Sequence, residues 1–159
     1  MTDLAARVER LEAIEELRRL KFNYTWHLDR KEWADFKNCF TEDFVFKGTG
    51  RELPREEFFA TVQASLGNLT TVHELHQYQF DFEGPDRARG LWRLRDHLFS
   101  SENKSEFRGR AVYEETYVRT KSGWRIASTT LRYMNTEGSV GFTSPHGGSA
   151  IALVLSPPA

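Results

Sequence analysis

From Thr70 to Thr136 the chain consists of long strand-like segments joined by short polar turns, and this constrains the fold more than any other feature. Thr70 to Phe82 is followed by Gly84-Pro85-Asp86, and Ala88 to Ser100 by Ser101-Glu102-Asn103-Lys104. Phe107 to Thr120 is followed by Lys121-Ser122-Gly123 and then by Trp124 to Thr136. Connections this short cannot carry a parallel crossover, so the four segments must run antiparallel to one another.

The half before this meander is helical. Leu4, Val8, Leu11, Ile14, Leu17, Leu20 and Tyr24 recur at three- and four-residue spacing, which predicts a helix from Asp3 to Trp26. A break is expected at His27-Leu28-Asp29, with Asp29 and Glu32 forming a capping box for a short helix carrying Trp33, Phe36, Cys39 and Phe40. Phe44-Val45-Phe46 reads as a first strand ended by Gly48 and Gly50. Pro54 then opens a third helix that buries Phe58, Phe59, Val62 and Leu66. Helices first and a meander afterwards is an α+β arrangement, and a strongly twisted sheet can curl around helices and leave a cavity at its open end. Residues 1–137 are expected to form this domain. Residues 138–159, rich in Gly, Ser and Pro with one apolar run from Ile151 to Leu155, are expected to act as a lid or an inter-subunit segment.

Composition narrows the function classes. A chain of 159 residues fits one domain, and twelve Phe within 39% apolar residues can fill a sizeable core. A net charge of −1 with mixed signs gives no basic stripe for nucleic acid. Cys39 is alone, so there is no intrachain disulfide and no cysteine metal site, which fits a reducing cytoplasm. The N-terminus lacks a signal-peptide core, and no run approaches the roughly 18 apolar residues of a membrane span.

Against this background, ionisable residues on apolar faces stand out. Asp96 shares a face with Trp92, Leu94 and Leu98, and strand period two places Arg132 with Trp124, Ile126 and Met134. An inward carboxylate and guanidinium are costly unless paired or useful, so they form either a structural ion pair or part of a site. Tyr24 lies at helical spacing from core residues and reads as core or as a site hydroxyl. His73 poses a phase problem. Period two groups it with Gln77 and Gln79, opposite Tyr78, Phe80 and Phe82, unless a bulge between His73 and Tyr78 reverses the phase. His73 and His76 point to opposite faces of a strand, which argues against a shared metal. Phe44, Phe46, Phe59, Trp92 and Trp124 are candidates to line a site for a ring-shaped ligand, or else simply fill the core.

The segments Leu17-Arg18-Arg19-Leu20-Lys21-Phe22-Asn23-Tyr24, Leu28-Asp29-Arg30-Lys31-Glu32-Trp33, Thr71-Val72-His73, Ala88-Arg89-Gly90-Leu91-Trp92 and Gly123-Trp124-Arg125-Ile126 together carry a resemblance. In order and spacing they resemble the SnoaL-like branch of the nuclear transport factor 2-like superfamily, closest to its bile acid 7α-dehydratase and scytalone dehydratase type. The resemblance implies a cone-shaped curved antiparallel sheet packed on three helices of the N-terminal half. It also implies His73 as a proton-abstracting base, Asp29 as the carboxylate that orients it, Tyr24 as an active-site hydroxyl, Asp96 as a second carboxylate and Arg132 as its cationic neighbour. Such a dehydratase-type lyase would act on a small cyclic or polycyclic hydroxy-ketone, without metal or organic cofactor, in a homo-oligomer of which the trimer is favoured. Rival readings on the same fold are a non-catalytic carrier of apolar small molecules, a polyketide cyclase or epoxide hydrolase, and a dioxygenase small subunit.

Overall fold

The computed structural model describes residues 3–48 and 51–138. The segment from Ile151 to Leu155 lies outside the described residues. In chain order the elements are α1 (Leu4–Arg30), α2 (Trp33–Lys37), β1 (Phe40–Gly48), β2 (Arg51–Pro54), α3 (Arg55–Leu66), β3 (Thr70–Phe82), β4 (Arg87–Phe99), β5 (Glu106–Thr120) and β6 (Gly123–Gly138). The strands form one open sheet in the order β2-β1-β6-β5-β4-β3. β3 to β6 are the expected antiparallel meander. β1 joins it parallel to β6, and β2, which the sequence did not suggest, pairs back on β1, so the sheet as a whole is mixed. No helix among the described residues is long and apolar enough to cross a membrane.

α1 starts where Asp3 Oδ1 accepts a hydrogen bond from the Ala5 amide. It runs through the expected break and ends at Lys31, whose φ of 61° is left-handed. There the Lys31 amide donates to Leu28 O and the Glu32 amide to His27 O, closing the last turn in a Schellman motif. Asp29 therefore sits inside the last turn of α1. It does not cap α2, whose first flanking residue is Glu32. The buried side of α1 is Ala13, Leu17, Leu20, Lys21, Tyr24, Thr25 and Leu28, whereas Leu4, Val8 and Leu11 in its first turns are exposed.

Helices α2 and α3 hold an aromatic cluster against β1. Phe36, Phe40, Phe44, Phe58 and Phe59 are all nearly inaccessible, and the Phe40 and Phe44 rings meet at 4.5 Å. Each such side chain contributes roughly 1.5–3 kcal/mol by leaving water.

Two bulges decide which side chains face inward. On β3, Leu75 pairs with Leu94 but Tyr78 pairs with Trp92, so one extra residue enters β3 there. This is the phase reversal that His73 required. Thr71, His73 and Leu75 now share the inner face with Tyr78, Phe80 and Phe82. On β6, Thr116 pairs with Ser128 while Tyr117 pairs with Ile126, which leaves Ala127 as the extra residue. Beyond it Thr129, Leu131 and Tyr133 point inward, and Arg132 points out.

Gly109 of β5 lies opposite Asp96 of β4. A Cβ there would come within 2.2 Å of Asp96 Oδ1 and 2.3 Å of Tyr133 Cε1. Gly109→Ala is therefore expected to lower stability by about 1–3 kcal/mol through overpacking. Urea denaturation reads this; an unchanged midpoint would mean that Asp96 and Tyr133 do not fill that space.

Candidate active site

Among the described residues β3 is an edge strand, so some of its N–H groups have no neighbouring strand there to bond. Asp29, at the end of α1, supplies one missing acceptor. Its Oδ2 accepts from the His73 amide at 2.9 Å, and its Oδ1 lies 2.6 Å from His73 Nδ1. Oδ1 also accepts from Thr71 Oγ1 at 2.8 Å, and Thr71 Oγ1 in turn accepts from Lys31 Nζ at 2.7 Å. Burial pushes the Asp29 carboxyl up, but the bonds from the His73 ring, the His73 amide and Thr71 outweigh it and hold the group below its ordinary value. Burial likewise lowers the Lys31 ammonium to about 8, against the attraction of Asp29. With Nδ1 held by Asp29, the other ring nitrogen of His73 remains to act.

Directly across the ladder from His73 stands Asp96. The Tyr133 hydroxyl donates to its Oδ2, while its Oδ1 has no hydrogen-bond partner among the described residues. Burial raises the Asp96 carboxyl above its ordinary value, and the Tyr133 bond only partly offsets this. The third polar pair is Tyr24 and Tyr113, whose hydroxyls lie 3.3 Å apart. Burial raises both phenols well above the usual range.

These groups share one cavity. Tyr24, His73, Asp96, Tyr113 and Tyr133 line it on the polar side, with apolar walls from Leu28, Phe46, Phe58, Val62, Leu66, Leu98 and Leu131. Its volume is about 70 Å³.

The structure thus brings Tyr24, Asp29, His73 and Asp96 together. Arg132 is not among them. It is exposed on the outer face, with Nε donating to Glu114 Oε1 at 2.9 Å, because Ala127 shifts the phase of β6. The inward position beside Asp96 belongs to Tyr133. Of the expected ligand-lining aromatics, only Phe46 reaches the cavity. Phe44 and Phe59 belong to the aromatic cluster, Trp92 donates to Tyr117 at 3.0 Å, and Trp124 packs against Phe82. Sequence reasoning missed Tyr113, Tyr133 and Thr71. Thr71 was in view, two residues before His73. The two tyrosines lie among alternating strand residues and carry no separate signal. Among the described residues, metal-ligating atoms cluster only at His27, Glu32 and Asp35, and none of these lines the cavity. Glu32 is already held there by His27 at 2.7 Å and by Arg30 at 2.6 Å.

The sequence pattern of the SnoaL-like domain matches residues 9–130. No curated protein matches the chain in sequence. Among solved structures, a scytalone dehydratase-like protein of Novosphingobium aromaticivorans superposes with a TM-score of 0.79 at 18% identity, covering 91% of this chain and 99% of its own. A type 2 hexachlorocyclohexane dehydrochlorinase, LinA, superposes at 0.75 with 16% identity, covering 87% and 98%. A type 3 form of that dehydrochlorinase from Novosphingobium barchaimii superposes at 0.74 with 16% identity, covering 87% and 99%. At such identities the likeness is one of fold.

The raised Asp96 carboxyl makes a signed prediction. A carboxyl raised on folding stabilises the folded chain fully below about pH 4, its unfolded value, and loses that contribution as pH rises through the raised value. Asp96→Asn removes this dependence. Its stability relative to the parent, followed by thermal unfolding from acid to neutral pH, should therefore rise with pH. A difference that stays flat would place Asp96 in a solvated setting.

Proposed function

As the chain belongs to the SnoaL-like domain family, we propose that it is a cofactor-independent lyase that dehydrates a small cyclic hydroxy-ketone. The observation that carries this reading is the imidazole of His73, fixed by Asp29 at 2.6 Å on the wall of a largely apolar cavity. The dehydratase and dehydrochlorinase among the similar structures are named for eliminations, which this constellation also suits.

In the proposed reaction the free nitrogen of His73 takes the proton from the carbon next to the carbonyl. Asp29 fixes the tautomer and stabilises the imidazolium that forms. The carbonyl oxygen becomes an enolate, held by the hydroxyl pair of Tyr24 and Tyr113. The enolate collapses to the enone as the β-hydroxyl departs. Asp96, whose carboxyl burial shifts toward the protonated form, gives its proton to that hydroxyl, so water leaves. His73 then returns its proton to Asp96, its cross-strand neighbour, directly or through water. The balance is one hydroxy-ketone to one enone and one water. Among the described residues no lysine or arginine lines the cavity, so a ketone oxygen suits it better than a phosphate or carboxylate group. At about 70 Å³ the hollow is below the roughly 150 Å³ that admits benzene. A ring therefore fits only with rearrangement of the lining side chains.

The test follows enone formation from a panel of cyclic β-hydroxy-ketones by ultraviolet absorbance. His73→Ala should remove more than about 99% of turnover with the fold intact by circular dichroism. Arg132→Ala, on the outer face, should leave it within about twofold. Near-normal rates in His73→Ala would overturn the assignment of the base.

A further inference from the structure

Behind the cavity, α1, β5 and β6 enclose a second polar cluster that the proposed reaction does not use. The Lys21 side chain is fully buried, and its Nζ donates to Glu115 Oε1 at 2.7 Å. Glu115 also accepts from Thr129 at 3.1 Å and, through Oε2, from the Tyr117 hydroxyl. Trp92 Nε1 donates to that same hydroxyl at 3.0 Å. The Lys21 ammonium does more than meet its counter-ion. It lies 3.8 Å from the ring centroid of Tyr24 and 3.9 Å from that of Tyr113. These are the two phenols whose hydroxyls meet at 3.3 Å and line the cavity.

An ion pair used only to fasten α1 to the sheet is an expensive choice. Burying two charges costs several kcal/mol each, and apolar replacements of similar volume are often neutral or stabilising. Placement suggests what the charge is for. In a dry interior a cation against a ring face acts strongly on that ring. It favours negative charge on the phenol oxygen and so strengthens the hydroxyl as a donor. Burial raises both phenols, and the Glu115 carboxylate adds to this at Tyr24; an ammonium against the two ring faces acts in the other direction. Both residues line the cavity, and the cation sits against their ring faces.

We propose that Lys21 is a positioning residue that acts through the ring faces of Tyr24 and Tyr113 to make their hydroxyl pair a site for an enolate or phenolate oxygen. The proposal rests on the lyase reading for its purpose, though not for its test. It also names the ligand class: a ring bearing an acidic or developing oxyanion, bound oxygen-first against the two tyrosines. Glu115 keeps the Lys21 charge in place, and Thr129 and Tyr117 hold Glu115.

The probe is 4-nitrophenol, whose absorbance reports ionisation, compared with 4-nitrotoluene, which has the same outline and no acidic proton. The wild-type protein should bind the phenolate in preference to the neutral analogue. In Lys21→Met combined with Glu115→Gln, which removes both charges together, that preference should fall by about tenfold or more, with 4-nitrotoluene affinity unchanged. An unchanged preference in the folded double variant, or no preference in the wild type, overturns the proposal. So does an equal loss for both ligands, which is what a purely structural pair would give. If the double variant does not fold, Lys21→Arg is compared with Lys21→Gln. The preference should survive in the first and disappear in the second; equality between them overturns the assignment. The two readings fail separately. A preference that falls as expected in a protein with no turnover sinks the lyase reading alone. A preference that does not move beside His73-dependent turnover sinks the Lys21 assignment alone.

Discussion

The Asp29 carboxylate is the joint on which the site depends. It takes three hydrogen bonds, two from His73 and one from Thr71. Bonds to a charged acceptor contribute about 1.5–3 kcal/mol each, and a donor left unpaired at this depth costs a similar amount. Through these bonds the last turn of α1 covers an edge of the sheet that has no neighbouring strand among the described residues. The same bonds fix the imidazole ring against the cavity. The residue that ties the helix to the sheet is therefore also the one that orients the imidazole. The left-handed Lys31 makes this possible by ending α1 one turn later than a cap at Asp29 would, which aims the carboxylate at β3.

The two carboxylates at the site are pushed in opposite directions. Asp29 collects donors and is held low, while Asp96 Oδ1 has no hydrogen-bond partner among the described residues and burial drives that carboxyl up. They stand on either side of the same histidine, one bonded to its ring and one across the ladder from it. A carboxyl held toward its anion and a second pushed toward its acid form are the opposed pair that the proposed reaction calls for. Gly109 allows it, since any side chain there would occupy the space of Asp96 and Tyr133.

Much of this was legible in the sequence, and the failures have identifiable physical causes. The four long strands were readable because each alternates cleanly and is bounded by turn residues. Asp96 was readable for the same reason, as β4 keeps strict alternation along its length. The phase of His73 was readable only as a condition, that a bulge must lie between it and Tyr78. Arg132 was misplaced because Ala127, an ordinary residue, is the extra one on β6 and nothing in its chemistry announces it. Bulges are set by how a curled sheet closes on its helices, a tertiary property. Lys21 was hidden for another reason. On a helix with Arg18 and Arg19 nearby, a lysine reads as solvated, and only Glu115, 94 residues away, brings it inside. The Asp29 capping box was a sound local pattern that lost to the stronger pull of a desolvated histidine and threonine on β3.

In the proposed reaction His73, steadied by Asp29, removes a proton from carbon. Nuclear magnetic resonance of a cyclic ketone without a leaving group, such as 2-tetralone, incubated with the protein in deuterated buffer, tests this step apart from dehydration. Wild-type protein is expected to exchange the protons next to the carbonyl faster than buffer does, and Asp29→Asn and His73→Ala to abolish most of the acceleration. Exchange at the buffer rate with the wild type, or an acceleration that survives in both variants, would contradict it.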